Sequence, residues 1–332
     1  MTVEPRVLSC RVLPHVSATD LRPVESLSVV ICAYTTERWD DLCRSVESVL
    51  ADRGPGLQVV LVVDHNDELY RRAVARFGGH RRITVRHNNG PRGLSGARNT
   101  GVDAADGEVV AFLDDDAAAE PGWSRALLRH YDDPRVLGVG GSAAPVWPGG
   151  RPRWMPREFD WVVGCSYTGQ PDRLAPVRNP LGCNMSLRRT ALADIGGFRS
   201  EVGRVGKLPV GGEETELFLR LRTLRPSGRV LLDPSAGVRH HVSPDRATLR
   251  YFVSRCYHEG MSKAVVTRLA GAPKSLDSER AYSTKVLPRA VVRETFSPRR
   301  GGRARAAVMM LGLGVTTAGY LRGKLTRRSG RR

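Results

Sequence analysis

Between Leu27 and Leu113 the chain alternates short apolar runs with amphipathic segments, and this alternation limits the folds open to it. LSVVICA (27–33) and LQVVLVV (57–63) have the length and β-branched content of buried strands. Ile83–Val85 gives a third, shorter strand and Val109–Leu113 a fourth. Helices fall between them. Leu42, Val46, Val49 and Leu50 share one face of a segment spanning Asp40–Leu50, and Leu69, Ala73 and Phe77 share one face of the next. A Gly-rich turn, Asn88–Gly96, leads into a third helix through Arg98. Strand and helix joined by short connections predict an α/β fold, with a mostly parallel, Rossmann-like sheet flanked by helices.

The second half reads differently. Gly140–Pro180 is rich in Gly and Pro, carries several aromatics and is read as a long loop region. Further elements are expected at Leu181–Leu187 (strand), Arg189–Ile195 (helix), Glu213–Leu224 (helix), Arg229–Leu232 (strand) and Leu249–Leu269 (helix). The expected organisation is an irregular segment over 1–26, a strand-and-helix half over 27–140, a loop-rich half over 141–250, and a helical basic tail over 251–332.

The chain has 332 residues, 41% of them hydrophobic, and a formal charge of +18. Ten of its Lys and Arg residues lie in Ser297–Arg332, which holds no acid. Such a tail suits nucleic acid, an anionic membrane surface or an anionic substrate. The six cysteines show no CxxC pair and no zinc spacing. They read as small core residues in a reducing cytoplasm, and the N-terminus lacks the apolar run of a secretory signal. Ala306–Leu321 contains no charge and is bordered by Arg305 and Arg322. It is shorter than the ~20 residues of a spanning helix. It reads either as an interfacial membrane helix or as a buried helix docked on the domain.

The chemistry is concentrated at strand ends. The apolar run of the fourth strand stops in Asp114, Asp115 and Asp116. Three adjacent carboxylates repel one another unless a cation sits among them, and a divalent ion (Mg²⁺ or Mn²⁺) with oxygen ligands fits. Alone, the stretch is equally compatible with a solvated acidic turn. Ala33, Tyr34 and Glu37 follow the first strand and Asp64 ends the second, which suits a stacked and hydrogen-bonded nucleobase; a packed Tyr and a capping Asp are the structural alternative. In GLSGARN, Gly96 allows close backbone approach and Arg98 adds a fixed cation for a phosphate. Glu213 and Glu214 open a helix after two glycines, placed either to take a proton from a hydroxyl or simply to complement the helix dipole. His240 and His241 follow a strand and are candidate metal ligands beside Asp114 and Asp116.

The order of these motifs, over roughly Ser26–Tyr257, resembles the family 2 glycosyltransferases of GT-A fold. The resemblance implies that Asp114 and Asp116 hold a divalent metal against the diphosphate of a nucleoside-diphosphate-sugar donor, with Asp115 between them. It implies an acceptor base in Glu213-Glu214, with Glu214 favoured, and an acceptor-side loop containing Asn179, Gly182 and Asn184. It also implies transfer to a hydroxyl acceptor with inversion. The chain departs from the family pattern in having DHND (64–67) after the second strand and Glu at the second position of the acidic pair. The competing expectation is a nucleic-acid- or polyanion-binding protein working through the basic tail. The acidic strand end and the lack of a nucleic-acid motif speak against it. The expected location is cytoplasmic, peripheral on the inner face of the membrane.

Overall fold

The structure, a computed structural model, describes residues 24–52, 54, 56–200, 211–270 and 277–325. Most of the irregular N-terminal segment, Cys10 and the last seven residues of the basic tail lie outside the described residues.

Strands β1 (Leu27–Ala33), β2 (Leu57–Val63), β3 (Ile83–His87) and β4 (Val109–Asp114) are parallel, in the order β3-β2-β1-β4. Helices α1 (Trp39–Ala51), α2 (Asp67–Phe77) and α3 (Leu94–Asp103) form the connections. Asn66 caps α2 by accepting from the Leu69 N–H at 3.0 Å. Because β1, β2 and β4 run parallel and in register, Tyr34, Asp64 and Asp114 emerge at one edge of the sheet. Ligands bind at this carboxyl edge in open α/β sheets.

After Asp116 the chain turns back as β5 (Ala117–Ala119), continues through α4 (Trp123–Leu128) and enters β6 (Val136–Val146). A short β7 (Ala175–Pro176), β8 (Asn184–Arg188), α5 (Arg189–Ile195), α6 (Glu213–Leu224) and β9 (Arg229–His241) follow. The sheet continues from β4 through β8, β6 and β9 to β5, and β7 pairs on β9. β8 is antiparallel to both β4 and β6, which makes the sheet mixed.

The strand β6 differs from the loop expected from Gly140 onward. A Cβ at Gly140 would lie 2.1 Å from Pro180 and one at Gly141 would lie 1.7 Å from the Ala236 carbonyl oxygen. These glycines let neighbouring segments approach, so a closely packed strand carries the composition of a loop. β9 runs nine residues past the expected Leu232, through Pro234 and a register shift against β6.

Apolar side chains fill both faces of the sheet. One cluster joins β1, β2 and β4 to α1, α2 and α4. The other joins the opposite face to α5 and α6, with Phe218 and Leu221 at its centre. A third cluster lies beyond the sheet. There α7 (Leu249–Ala270) pairs with α10 (Gly302–Leu325), beside α8 (Asp277–Ala281) and α9 (Leu287–Thr295), around Phe159, Phe252 and Met309. A π-helical turn, Tyr282–Val286, joins α8 to α9. α10 is eight residues longer than its uncharged stretch. Its Gly312 and Gly319 seat against Phe159 and the Tyr257 carbonyl of α7.

Candidate active site

A cleft of about 650 Å³ opens at the carboxyl edge of β1, β2 and β4, and α6, α7 and the C-terminal helices wall its far side. Its corner is built by strand register. β5 pairs antiparallel with β9 so that Ala117 faces His240, and the His241 N–H donates to the Asp116 carbonyl at 2.7 Å. Asp116 is thereby brought beside an imidazole more than 120 residues away. His240 Nε2 stands 3.1 Å from Asp116 Oδ1. Asp114, Asp116 and His240 each offer a ligand atom within 4.8 Å of the others.

Successive strand residues point to opposite faces. His241 therefore turns away from this corner, and its Nδ1 lies 2.6 Å from Asp41 of α1.

The acids at the corner are balanced by arginines that the sequence reading did not single out. Arg38 Nη1 lies 3.1 Å from Asp115 and 3.2 Å from Asp116, and Arg246 Nη1 lies 3.3 Å from Asp116. Burial alone would raise the Asp116 pKa, but His240, Arg246 and Arg38 hold it well below the carboxylate range. Asp115 has less support: burial and the Asp116 charge push it up to about 7 despite Arg38. Burial opposes a charge on His240, yet Asp116 outweighs it and raises the imidazole well above its ordinary value.

Two carboxylates and an imidazole suit a divalent ion of the Mg²⁺ or Mn²⁺ type. Arg38 and Arg246 take Asp116 Oδ2, while the buried Oδ1 faces the His240 imidazole at 3.1 Å. Asp114, a third exposed, faces the cleft. A buried oxygen between an imidazole and a cleft-facing carboxylate fits a metal site.

Arg98 sits in the second turn of α3, because the helix starts at Leu94, inside the stretch read as a turn. It is 2% exposed and donates to the Gly182 carbonyl at 2.8 Å, Asp114 Oδ1 at 3.3 Å and Glu213 Oε1 at 3.3 Å. It is therefore a fixed brace between acids rather than a free phosphate clamp. Its partner Glu213 and the adjacent Glu214 both line the cleft, Glu213 buried and Glu214 half-buried. Burial in the cleft wall and the neighbouring Glu213 charge push Glu214 up to about 7.

The other expected residues divide into two groups. Ala33, Tyr34, Asp64, Asp115, Asn179 and Gly182 line the cleft. Asp64 also organises it, accepting from the Gly93 N–H at 2.9 Å and from Asn88 Nδ2 at 2.6 Å. Glu37, Gly96 and Asn184 do not line it. Glu37 is exposed in a short 3-10 turn. Gly96 serves packing: a Cβ there would lie 1.9 Å from the Pro91 carbonyl oxygen. Asn184 is fully buried and ties the sheet together, accepting from Trp123 Nε1 and donating to the Ser142 and Ala236 carbonyls at 2.8–2.9 Å. The aromatic wall formed by Trp161, Tyr167 and Tyr282, with Arg255 standing over Trp161, is assembled from segments far apart in the chain.

A mixed α/β sheet with acids at the carboxyl edge of β4, facing an acidic helix start across one cleft, defines a GT-A-type transferase. The family model for Glycosyl transferase family 2 matches residues 28–196. The chain belongs to this family and is a glycosyltransferase. It is 35% identical over 257 residues to a glucosyl-dolichyl phosphate glucuronosyltransferase of Haloferax volcanii, covering 77% of this chain and 81% of that one. It is 24% identical to the succinoglycan biosynthesis protein ExoM of Rhizobium meliloti, over 71% of this chain and 73% of that one.

Among solved structures, the mannosyltransferase PcManGT from Pyrobaculum calidifontis, in complex with GDP-Man and Mn²⁺, superposes with a TM-score of 0.59. The match covers 95% of this chain and 91% of that one at 15% identity. GalNAc-T7 with UDP, GalNAc and Mn²⁺ gives 0.53 at 16% identity, over 78% of this chain but only 54% of that one. These two likenesses concern the fold. The family assignment does not favour the polyanion-binding alternative.

Proposed function

We propose that the chain moves a sugar from a nucleoside-diphosphate sugar to an acceptor hydroxyl, with inversion and with dependence on a divalent metal ion. The observation that carries this reading is the pairing of the Asp114–Asp116–His240 corner with Glu214 across one cleft. In this reading the β1–β4 half takes the donor and the later strands and helices take the acceptor.

Tyr34 and Asp64 sit where a nucleobase enters. Asp114, Asp116 and His240 would hold Mg²⁺ or Mn²⁺, which when bound supplies positive charge for the departing diphosphate. Arg38 and Arg246 add fixed positive charge at the same corner, an electrostatic contribution that needs no reorganisation. Arg98 acts as a positioning residue. It fixes Asp114 on the donor side and Glu213 on the acceptor side, so Glu214 is left to face the incoming hydroxyl. With a pKa raised to about 7, Glu214 is matched to accept a proton near neutrality. The proton leaves the acceptor hydroxyl as its oxygen attacks the anomeric carbon from the face opposite the leaving diphosphate.

The name of the Haloferax volcanii relative supports an acceptor sugar carried on a dolichyl-type phosphate lipid. The enzyme would then work in the cytoplasm, at the inner face of the membrane. The experiment is transfer from nucleotide sugars, with Mn²⁺, to glycosylated polyisoprenyl phosphate, with the new anomeric linkage read by proton NMR. An inverted linkage is expected. A retained configuration would overturn the assignment of Glu214 as base.

A further inference from the structure

The helix α10 offers one face to the protein and another to the outside. The inner face is seated: Cβ atoms at Gly312, Gly319 and Gly323 would lie 2.4 Å from Phe159, 2.1 Å from the Tyr257 carbonyl oxygen and 2.8 Å from Ala264. The outer face is exposed and uncharged. Ala307, Met310, Leu311, Gly314, Ala318 and Leu321 recur at helical spacing along one side. Met310 is 64% exposed and Leu321 is 54%, and at the end of α9 Phe296 is 82% exposed. Large apolar side chains gathered on one helix mark a contact surface more often than an accident of packing.

The charges decide what covers it. From Lys285 to Leu325 there are nine Lys or Arg and one acid, Glu294. Glu294 is already held by Arg293 and Arg305. Arg299, Arg300 and Arg303 stand at the start of α10, exposed and with no ion pair to a described residue; Arg322 and Lys324 stand at its end. An apolar stripe bracketed by cations complements an anionic bilayer, whose headgroups take the arginines while the acyl boundary takes the stripe.

α10 is the one described helix long and apolar enough to cross a membrane. Its inner face is nevertheless locked on α7, which carries Arg255, Glu259 and Lys263 into the cleft wall. Crossing would strip α10 from α7 or carry those charges into hydrocarbon. On a bilayer the helix would therefore lie in the plane of the surface. One turn round from the exposed stripe, Leu313 and Thr316 of α10 line the same cleft as Glu214 and Asp114.

We propose that α10, with the end of α9, is an in-plane docking face for an anionic lipid bilayer, and that it sets the mouth of the cleft at headgroup level, where a lipid-linked acceptor enters. The entry step rests on the acceptor reading above; the docking face does not.

The test uses the full chain and vesicles of phosphatidylcholine with or without phosphatidylglycerol. Wild type binds the anionic vesicles and is released as salt rises. Met310→Glu with Leu321→Glu abolishes binding, and Arg299→Gln with Arg300→Gln and Arg303→Gln weakens it roughly tenfold or more. Both variants keep wild-type nucleotide release from the donor, which shows that they are folded. No binding by wild type, or equal binding by all three proteins, overturns the proposal. So does a homodimer that Met310→Glu dissolves in the absence of vesicle binding, or resistance of the bound enzyme to alkaline extraction, which would indicate a spanning helix. Vesicle binding as predicted, with no transfer to any lipid-linked acceptor, upholds the docking face and removes the acceptor reading.

Discussion

Arg98 Nη1 lies 3.3 Å from Glu213 Oε1, and this pair ties down one of the two adjacent acids in the cleft wall. Adjacent residues on a helix point about 100° apart. With Glu213 paired to Arg98, Glu214 is the more exposed of the two acids in the cavity wall. Glu214→Gln is expected to lower kcat by ~10²–10⁴-fold, the usual contribution of a general base, while donor affinity with Mn²⁺ stays within a few-fold. Glu213→Gln is expected to lower kcat less and to raise donor KM, because Arg98 and Asp114 lose their brace. Steady-state kinetics on both variants checks this; the reverse ranking would reassign the base.

The pH profile follows from the same acid. The Glu214 pKa is raised to about 7, and the base must be ionised to act. kcat/KM is therefore expected to rise with pH, with unit slope below about 7 and a plateau above it. Glu214→Gln should flatten this limb. A limb that persists unchanged in the variant would assign it to another group.

The metal corner is checked by binding rather than turnover. The Asp116 charge holds His240 protonated, so an ion that takes the imidazole must displace a proton. Mn²⁺ binding followed by calorimetry in two buffers of different ionisation enthalpy should show proton release. His240→Ala should remove that release, whereas His241→Ala, which loses only the Asp41 contact, should keep it. Equal proton release by wild type and His240→Ala would exclude His240 as a ligand.

Much of the β1–β4 half was legible because its strands are continuous apolar runs and its helices carry single apolar faces. Asp114, Asp116 and the Glu213-Glu214 pair stood at strand and helix ends where local pattern suffices. The rest depended on register and tertiary approach. Arg38 and Arg246 are ordinary surface residues until β5 folds back on β9. Asn184 reads as a site residue beside Gly182, but strand alternation turns it into the sheet. Gly140 and Gly141 look like a loop because close packing and flexibility call for the same residue.

Asn184 and Gly141 make the packing account testable. Asn184→Ala strands the Trp123 indole N–H, the buried Ala236 carbonyl and the part-buried Ser142 carbonyl. At ~1–3 kcal/mol for each orphaned group, a loss of at least about 3 kcal/mol is expected in urea unfolding. Gly141→Ala places a methyl against the Ala236 carbonyl and is expected to prevent folding or to cost as much. A change below about 1 kcal/mol in either variant would contradict the close approach of β6, β8 and β9.

In the proposed function one cleft joins a metal-assisted nucleotide-sugar corner to an acceptor base. Release of nucleoside diphosphate from a panel of UDP-, GDP- and TDP-sugars, with Mn²⁺ and with EDTA, tests it most directly. At least one donor is expected to turn over with Mn²⁺, EDTA is expected to abolish the reaction, and Asp116→Ala is expected to abolish it in a protein that still folds. Full turnover in EDTA or in Asp116→Ala, or no turnover of any nucleotide sugar, would contradict it.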